Sequence, residues 1–402
     1  MPKAIENIRS QFPIFSNHPG LAYLDNAATS HKPVAVLKCL ADFYEKENAS
    51  VHRGLYDLSA NATLRYEEVR KKVASMIGAK DPSSIAFTKG TTESINIVAQ
   101  SFRHNLKEGD NIIITAMEHH ANLIPWQVIC QETGATLKVI PVDDAGELML
   151  EKIDTTLDHH TRLFALTHIS NVLGTVNPVE EIIIKARQYN VPVLVDAAQS
   201  AGHWPVNVSS WDADFLAFSA HKMFGPMGTG VLYAKEKWRS HIQPLIYGGG
   251  AIKNVEFEST EFLDYPFHLE AGTAHVAGVL GLGSAVDFIS TLDQSESMHY
   301  IQSLASSFRE KAGKLGYVSF LGNPKKSAGI VSFQVKDVHP HDVASFLASR
   351  NVSVRAGHHC AQPLLKMMGV PATVRISFAI YNTWGDVDQA IEAIIGLKKF
   401  WS

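Results

Sequence analysis

The stretch SAHKMFGPMGTGVLY, Ser219 to Tyr233, places Lys222 directly after the apolar run FLAF (Phe215 to Phe218). A glycine-rich turn follows it and leads into a second apolar run, GVLYAK. A lysine at the mouth of two buried strands is desolvated. Its ammonium form is then disfavoured and its amine becomes a nucleophile toward carbonyl compounds. The alternative is a surface lysine beside a turn. Ser219 and His221 flank it with hydrogen-bond donors of the kind a phosphate-bearing ligand requires.

Outward from this stretch, residues 84 to about 235 alternate between apolar runs and helical patterns, the signature of an open parallel sheet with crossover helices. The predicted strands are IAFT (85–88), NIIITA (111–116), TLKVIPV (136–142), RLFALTHI (162–169), VPVLVD (191–196), FLAFS (215–219) and GVLYA (230–234). Polar clusters follow several of their C-terminal ends: GTTES, MEHHAN, HISNVLGT, DAAQSAG and SAHK. Open α/β sheets bind ligands outside those ends, and five such clusters on one edge predict a binding site.

The remaining chain frames this sheet. Residues 1–20 read as a short helix and an arm, and LAYLDNAATS (21–30) as a strand end opening onto a site. Helices are expected from Val34 to Glu45 and from Arg65 to Gly78, with a loop over Asn48–Ser59. Residues 236–270 read as a long ordered loop and Ala274–Ser307 as largely helical, before a small α+β unit. The predicted division is a large domain, 21–270, and a small domain from 271–402 with the arm 1–20.

Composition narrows the function classes. The 36 Lys+Arg and 40 Asp+Glu leave a net charge of −4, which suggests neither a nucleic-acid nor a membrane-surface partner. The N-terminus lacks a secretory apolar core, and no segment approaches the roughly 18 apolar residues of a membrane span. Only three cysteines occur, Cys39, Cys130 and Cys360, so a reducing, cytoplasmic setting without a disulfide framework is expected.

Two further features define a candidate site. In KGTTESIN, Gly90, Thr91 and Thr92 open a helix whose free N–H groups and dipole suit a phosphate, although threonine before a helix also serves as a simple cap. Asp196 ends a buried strand, where a carboxylate needs a partner. A structural hydrogen-bond acceptor is one reading. The other is a counter-ion for a protonated pyridine nitrogen, with the aldehyde of the same pyridoxal 5'-phosphate at Lys222.

The ordered set LDNAATS, GTTESIN, EHHAN, HISNVLGT, VDAAQSAGH, SAHKMFGPMGTGVLY, EAGT and RAGHHCAQPL resembles that of the class-V aminotransferase-like cysteine desulfurases. RAGHHCA resembles the second group of these (SufS/CsdA type), which includes selenocysteine lyases. The resemblance runs from about Leu21 to Asn382. It implies an α/β fold of the pyridoxal-phosphate fold-type I class, with a mainly parallel seven-stranded sheet, a smaller C-terminal α+β domain and a homodimer.

Residue by residue, the resemblance makes Lys222 the Schiff-base lysine and Asp196 the pyridinium partner. It stacks His120 on the ring and places Gln199 at the phenolic oxygen. Thr92, Ser219 and His221 hold the phosphate with Thr273 of the other subunit. Asn171, Arg355 and Arg375 receive the substrate carboxylate, His52 borders the site, and Cys360 forms the persulfide. From the residues alone, Arg355, His358 and His359 are candidates to favour the Cys360 thiolate. Zinc is the competing reading of Cys360 and the nearby histidines, but no second cysteine lies near, so no metal is expected. The implied activity is L-cysteine desulfuration to L-alanine, with the sulfur passed to a SufE/CsdE-type acceptor for iron–sulfur cluster assembly or other sulfur biosynthesis. The alternatives are selenocysteine lyase, another pyridoxal-phosphate lyase in which Cys360 is incidental, and a sulfur-delivery scaffold active only with a partner.

Overall fold

The computed structural model describes residues 7–401, so the first six residues of the expected arm and Ser402 lie outside the described chain. Seven strands form the main sheet: β1 (Ile85–Thr88), β2 (Asn111–Thr115), β3 (Thr136–Ile140), β4 (Thr161–Thr167), β5 (Val193–Asp196), β6 (Phe215–Ser219) and β7 (Gly230–Ala234). Their order is β1-β7-β6-β5-β4-β2-β3. Only β7 runs antiparallel to its neighbours. Strands β2, β5, β6 and β7 are buried at every position, which is why their sequences are apolar runs without alternation. Helices Asp57–Met76, Val179–Arg187 and Val276–Ser290 share one core cluster with the sheet, and Thr91–Arg103 and Ile124–Thr133 share another.

Four antiparallel strands form a second sheet: β8 (Val318–Phe320), β9 (Ile330–Val335), β10 (Arg355–Gly357) and β11 (Thr373–Ser377), in the order β8-β9-β11-β10. Helices Gln294–Gly313, Pro340–Ala348 and Trp384–Trp401 accompany it.

The structure alters three expectations. The helix expected from Arg65 begins at Asp57, inside the stretch read as a loop; Asp57 lies in its first turn, where an acid favours the N-terminal dipole. The 274–307 region is two helices that bend by 87°, the second capped by Asp293 on the Glu296 N–H. The 236–270 region holds a short helix, Glu236–Arg239, and an antiparallel hairpin of Ile252–Val255 with Thr260–Phe262. No single described helix is long and apolar enough to cross a membrane.

The LDNAATS segment is a strap between the two sheets. Ala22–Tyr23 pairs in parallel with Val352–Ser353, Leu24 O accepts Ser377 N–H at 2.8 Å, and Ala22 and Leu24 pack in the smaller sheet's core. A few residues on, Ser30 N–H and Thr29 Oγ1 both donate to His221 O at 3.0 Å. The neighbour of Lys222 is thereby tied to the second sheet.

Candidate active site

Lys222, Asp196, Gln199, Asn171, Thr91, Thr92, Ser219, His221, Arg355, Arg375 and Cys360 all line one cavity of ≈ 270 Å³ at the C-terminal ends of β4, β5 and β6. Asp196 is the last residue of β5 and Lys222 closes the turn after β6. Burial holds Lys222 down to about 8, with the opposing pull of Asp196 second to it. Burial likewise raises Asp196, again outweighing the charge of Lys222. In a contact ion pair each charge would drive the other toward ionisation, whereas here desolvation wins for both. Both line the cavity, and neither Asp196 nor Lys222 makes an ion pair among the described residues. Its Oδ1 accepts a single N–H, from Ala198 at 2.8 Å.

At the other end, Gly90 caps the helix Thr91–Arg103. Ser219 Oγ accepts Thr91 N–H at 2.8 Å and lies 2.7 Å from Thr91 Oγ1. A Cβ on Gly230 would stand 2.4 Å from Gly90 Cα, so glycine there is what lets β7 approach this helix start. His221 Nδ1 is buried without a partner.

The loop after β2 presents His119 to the cavity, not His120. Glu118 turns inward and accepts from Thr115 Oγ1, Asn122 Nδ2 and Thr167 N–H, which fixes the loop. His119 Nδ1 accepts Ala121 N–H at 3.0 Å, so its proton sits on Nε2; burial, then Lys222, lowers it to about 3 and keeps the ring neutral. His120 donates its backbone N–H to Cys360 O at 2.7 Å, and its ring faces His358 at 6.0 Å. The ring expected at the cavity, His120, is thus not on its lining, and its neighbour His119 is. Consecutive residues entering a turn point to opposite sides, and the motif alone does not say which side faces in.

Cys360 is exposed at the mouth of the cavity. His359 and Cys360 both adopt left-handed backbone, φ 53° and 55°, at a cost of about 1–3 kcal/mol each. Asn171 Nδ2 donates to His359 O at 2.7 Å, and with the His120 N–H it holds this turn. The amide nitrogen expected to meet cofactor and substrate is engaged with the loop. His359 Nε2 lies 3.0 Å from Thr373 Oγ1, and burial lowers the ring to about 3, so it brings no positive charge to the thiol. Arg375 NH1 donates to Asn171 O at 3.0 Å, while its Nε is buried without a partner.

Two expected residues lie elsewhere. His52 and Thr273 line a separate hollow of ≈ 330 Å³ with Gly249, Gly250 and Glu270. His52 Nε2 lies 3.0 Å from Glu67 and its ring is edge-on to Tyr66. Among the described residues, no three His, Cys, Asp or Glu side chains form a metal-ligating group.

The Aminotransferase class-V family profile matches residues 22–390. This chain belongs to that family. A cysteine desulfurase of Cronobacter sakazakii is 43% identical over 404 residues, covering 99% of both chains. The apo structure of the cysteine desulfurase of Thermococcus onnurineus superposes with a TM-score of 0.94 at 40% identity, and the crystal structure of the cysteine desulfurase CsdA of Escherichia coli with 0.93 at 37%. Each comparison covers 98% of this chain and 98% of the other.

The cofactor of this class-V chain is pyridoxal 5'-phosphate, and the donor set fits it. Asp196 is a buried anion lacking a cationic partner, as a protonated ring nitrogen would supply. The orphaned His221 Nδ1 and the helix start at Gly90 offer a phosphate its donors.

Because Lys222 titrates near 8, its reactive neutral fraction rises about tenfold per pH unit below that value and levels above it. Cofactor uptake by the apoprotein, followed by visible absorption, should accelerate up to about pH 8 and then plateau. Asp196→Asn removes the charge that raises Lys222 and should move the break to lower pH. A rate independent of pH between 6 and about 9 would contradict this assignment.

Proposed function

We propose that this class-V chain is an L-cysteine desulfurase in which Lys222 and Cys360 act on one substrate. The observation that carries the reading is that a desolvated amine, an exposed thiol and a buried guanidinium with an unpartnered Nε line one small cavity. Pyridoxal 5'-phosphate, when bound, supplies the electron sink that stabilises negative charge at the substrate Cα.

The chain's own residues do the rest. Arg375 and Arg355, which both line the cavity, receive the carboxylate of L-cysteine as cationic donors. Lys222 Nζ, about half of it neutral near pH 8, takes the Cα proton and returns a proton later. His119 covers the ring face. Gln199, whose Nε2 donates to Ala27 O at 2.9 Å, would offer its second amide hydrogen to the phenolic oxygen. Thr91, Thr92, Ser219 and His221 hold the phosphate. Cys360 Sγ, as thiolate, attacks the substrate sulfur: an S–S bond forms, the Cβ–S bond breaks, and its electron pair stays with Cβ, which is protonated to give L-alanine. The sulfur remains on Cys360 as a persulfide, exposed to a protein acceptor of the SufE/CsdE type. The proposed setting is the cytoplasm.

We further propose a homodimer. The hollow holding His52 and Thr273 shares no lining residue with the cavity of Lys222 in the same chain, and Leu55, Tyr56, Tyr247 and Phe257 expose large apolar surfaces. Thr273 then serves the phosphate of the partner's site, and His52 borders that site.

Pure protein given L-cysteine should release alanine without any partner. Cys360→Ala should lose nearly all of this activity yet bind cofactor and cleave L-selenocysteine, because selenium leaves carbon with less nucleophilic help. Full activity of Cys360→Ala on cysteine would refute the role of the thiol. Alanine release only on adding an acceptor protein would favour the scaffold reading.

Mixing Thr273→Ala with Lys222→Ala chains, after exchange of subunits, should restore activity that neither parent has, since one intact site forms in each hybrid. A monomer at micromolar concentration would contradict the shared site.

A further inference from the structure

The stretch VDAAQSAGH, 195–203, sets Asp196 and Gln199 in the cavity wall and ends on His203, which is not on that lining. Two tight turns follow β5. Ser200 and Ala201 donate their N–H groups to Ala197 O at 3.0 and 2.9 Å, and His203 and Trp204 donate theirs to Ser200 O at 3.0 and 2.8 Å. These bonds fix His203 relative to Asp196. Gly202, at φ 85°, then lets the segment close on the turn that bears Lys222: a Cβ there would stand 2.6 Å from Met223 Cβ. The ring of the next residue meets that turn directly. His203 Nε2 lies 2.8 Å from Lys222 O, and its ring packs edge-on against Phe224 with centroids 4.9 Å apart. A carbonyl oxygen only accepts, so Nε2 carries the proton and donates it.

Lys222 O needs this donor. It ends the three-residue turn Ala220–Lys222, whose last carbonyls have no partner inside the turn. The carbonyl before it, His221 O, is held from the strap by Ser30 N–H and Thr29 Oγ1 at 3.0 Å and by Lys32 Nζ at 3.2 Å. The peptide groups on both sides of the Lys222 Cα are thus pinned, one from the strap and one from the segment that begins at Asp196. We propose that His203 is a positioning residue for Lys222: it fixes the backbone of the reactive lysine relative to Asp196, so that one segment sets the spacing between the buried carboxylate and the amine. The lysine stem is flexible, which leaves its backbone as the anchor, and a misplacement of about 1 Å can cost about a hundredfold in rate. The inference rests on the proposed role of Lys222 as the amine that captures the cofactor and moves the Cα proton.

The test measures the rate at which the full-length apoprotein captures pyridoxal 5'-phosphate, followed by visible absorption, together with kcat and KM for alanine release from L-cysteine. His203→Phe keeps a ring against Phe224 and removes the donor. His203→Gln carries an amide N–H that reaches as far as Nε2, and His203→Asn carries the same amide one methylene short. His203→Phe and His203→Asn should slow capture by about three- to thirtyfold and lower kcat by a similar factor with KM little changed, whereas His203→Gln should keep about half or more of the wild-type values. Wild-type capture and kcat in His203→Phe and His203→Asn, with only the melting temperature lowered, would overturn the proposal and make His203 a structural residue. If His203→Phe does not fold, the amide pair carries the same test, and equal capture rates in His203→Gln and His203→Asn would overturn it. Lys222→Ala checks the underlying assignment: capture that persists in this variant would refute the role of Lys222 and the proposal with it. A wild type that captures cofactor yet releases no alanine would instead refute the desulfurase reading, and the capture rates would still decide the role of His203.

Discussion

The site is organised by a carboxylate that the protein buries and does not neutralise. Asp196 ends a strand buried along its whole length and has one backbone N–H for company. Holding an anion out of water costs several kcal/mol, and a charge-assisted hydrogen bond offsets only about 1.5–3 of that. Lys222 makes no ion pair with it among the described residues and is itself desolvated. Two groups of opposite preference thus line one cavity, each destabilised in its ionised form, and a ligand with a cationic ring nitrogen and an aldehyde would engage both. The cost is met by the rest of the fold: a sheet with both faces covered, and a glycine pair, Gly90 and Gly230, that lets the helix Thr91–Arg103 approach it.

The strap from Leu21 to Ser30 makes the second half of the site depend on the first. Its start is a strand of the smaller sheet's environment and its end is hydrogen-bonded to the residue before Lys222. Arg355 and Arg375 are therefore positioned relative to Lys222 through ten residues of short backbone, with Asp25 in the middle. The Cys360 turn is held the same way, by Asn171 and the His120 backbone from the large sheet, in a left-handed conformation that neither residue would favour alone.

The sheet and most of the cavity wall were legible because both are written in local patterns. The unbroken apolar runs mark buried parallel strands, and the polar clusters after them mark one edge. Facing is not written locally. EHHAN offers two adjacent histidines, and only the inward turn of Glu118 decides that His119 faces the cavity. Asp25 sits in a quoted motif, yet nothing in LDNAATS says that its carboxylate meets two arginines more than 300 residues away. His52 and Thr273 line a hollow of their own, apart from the cavity that holds Lys222, and no local pattern in the sequence shows that division. The helix start at Asp57 was hidden because polar residues on its exposed side read as loop.

The central claim is that Cys360 takes sulfur from a substrate bound over Lys222. Mass spectrometry after a single turnover with L-cysteine, without reductant or acceptor, tests it directly. The account predicts one added sulfur on the peptide carrying Cys360, none on those carrying Cys39 or Cys130, and one alanine released per site. Alanine released in that amount with Cys360 unmodified, or sulfur found on another cysteine, would contradict it.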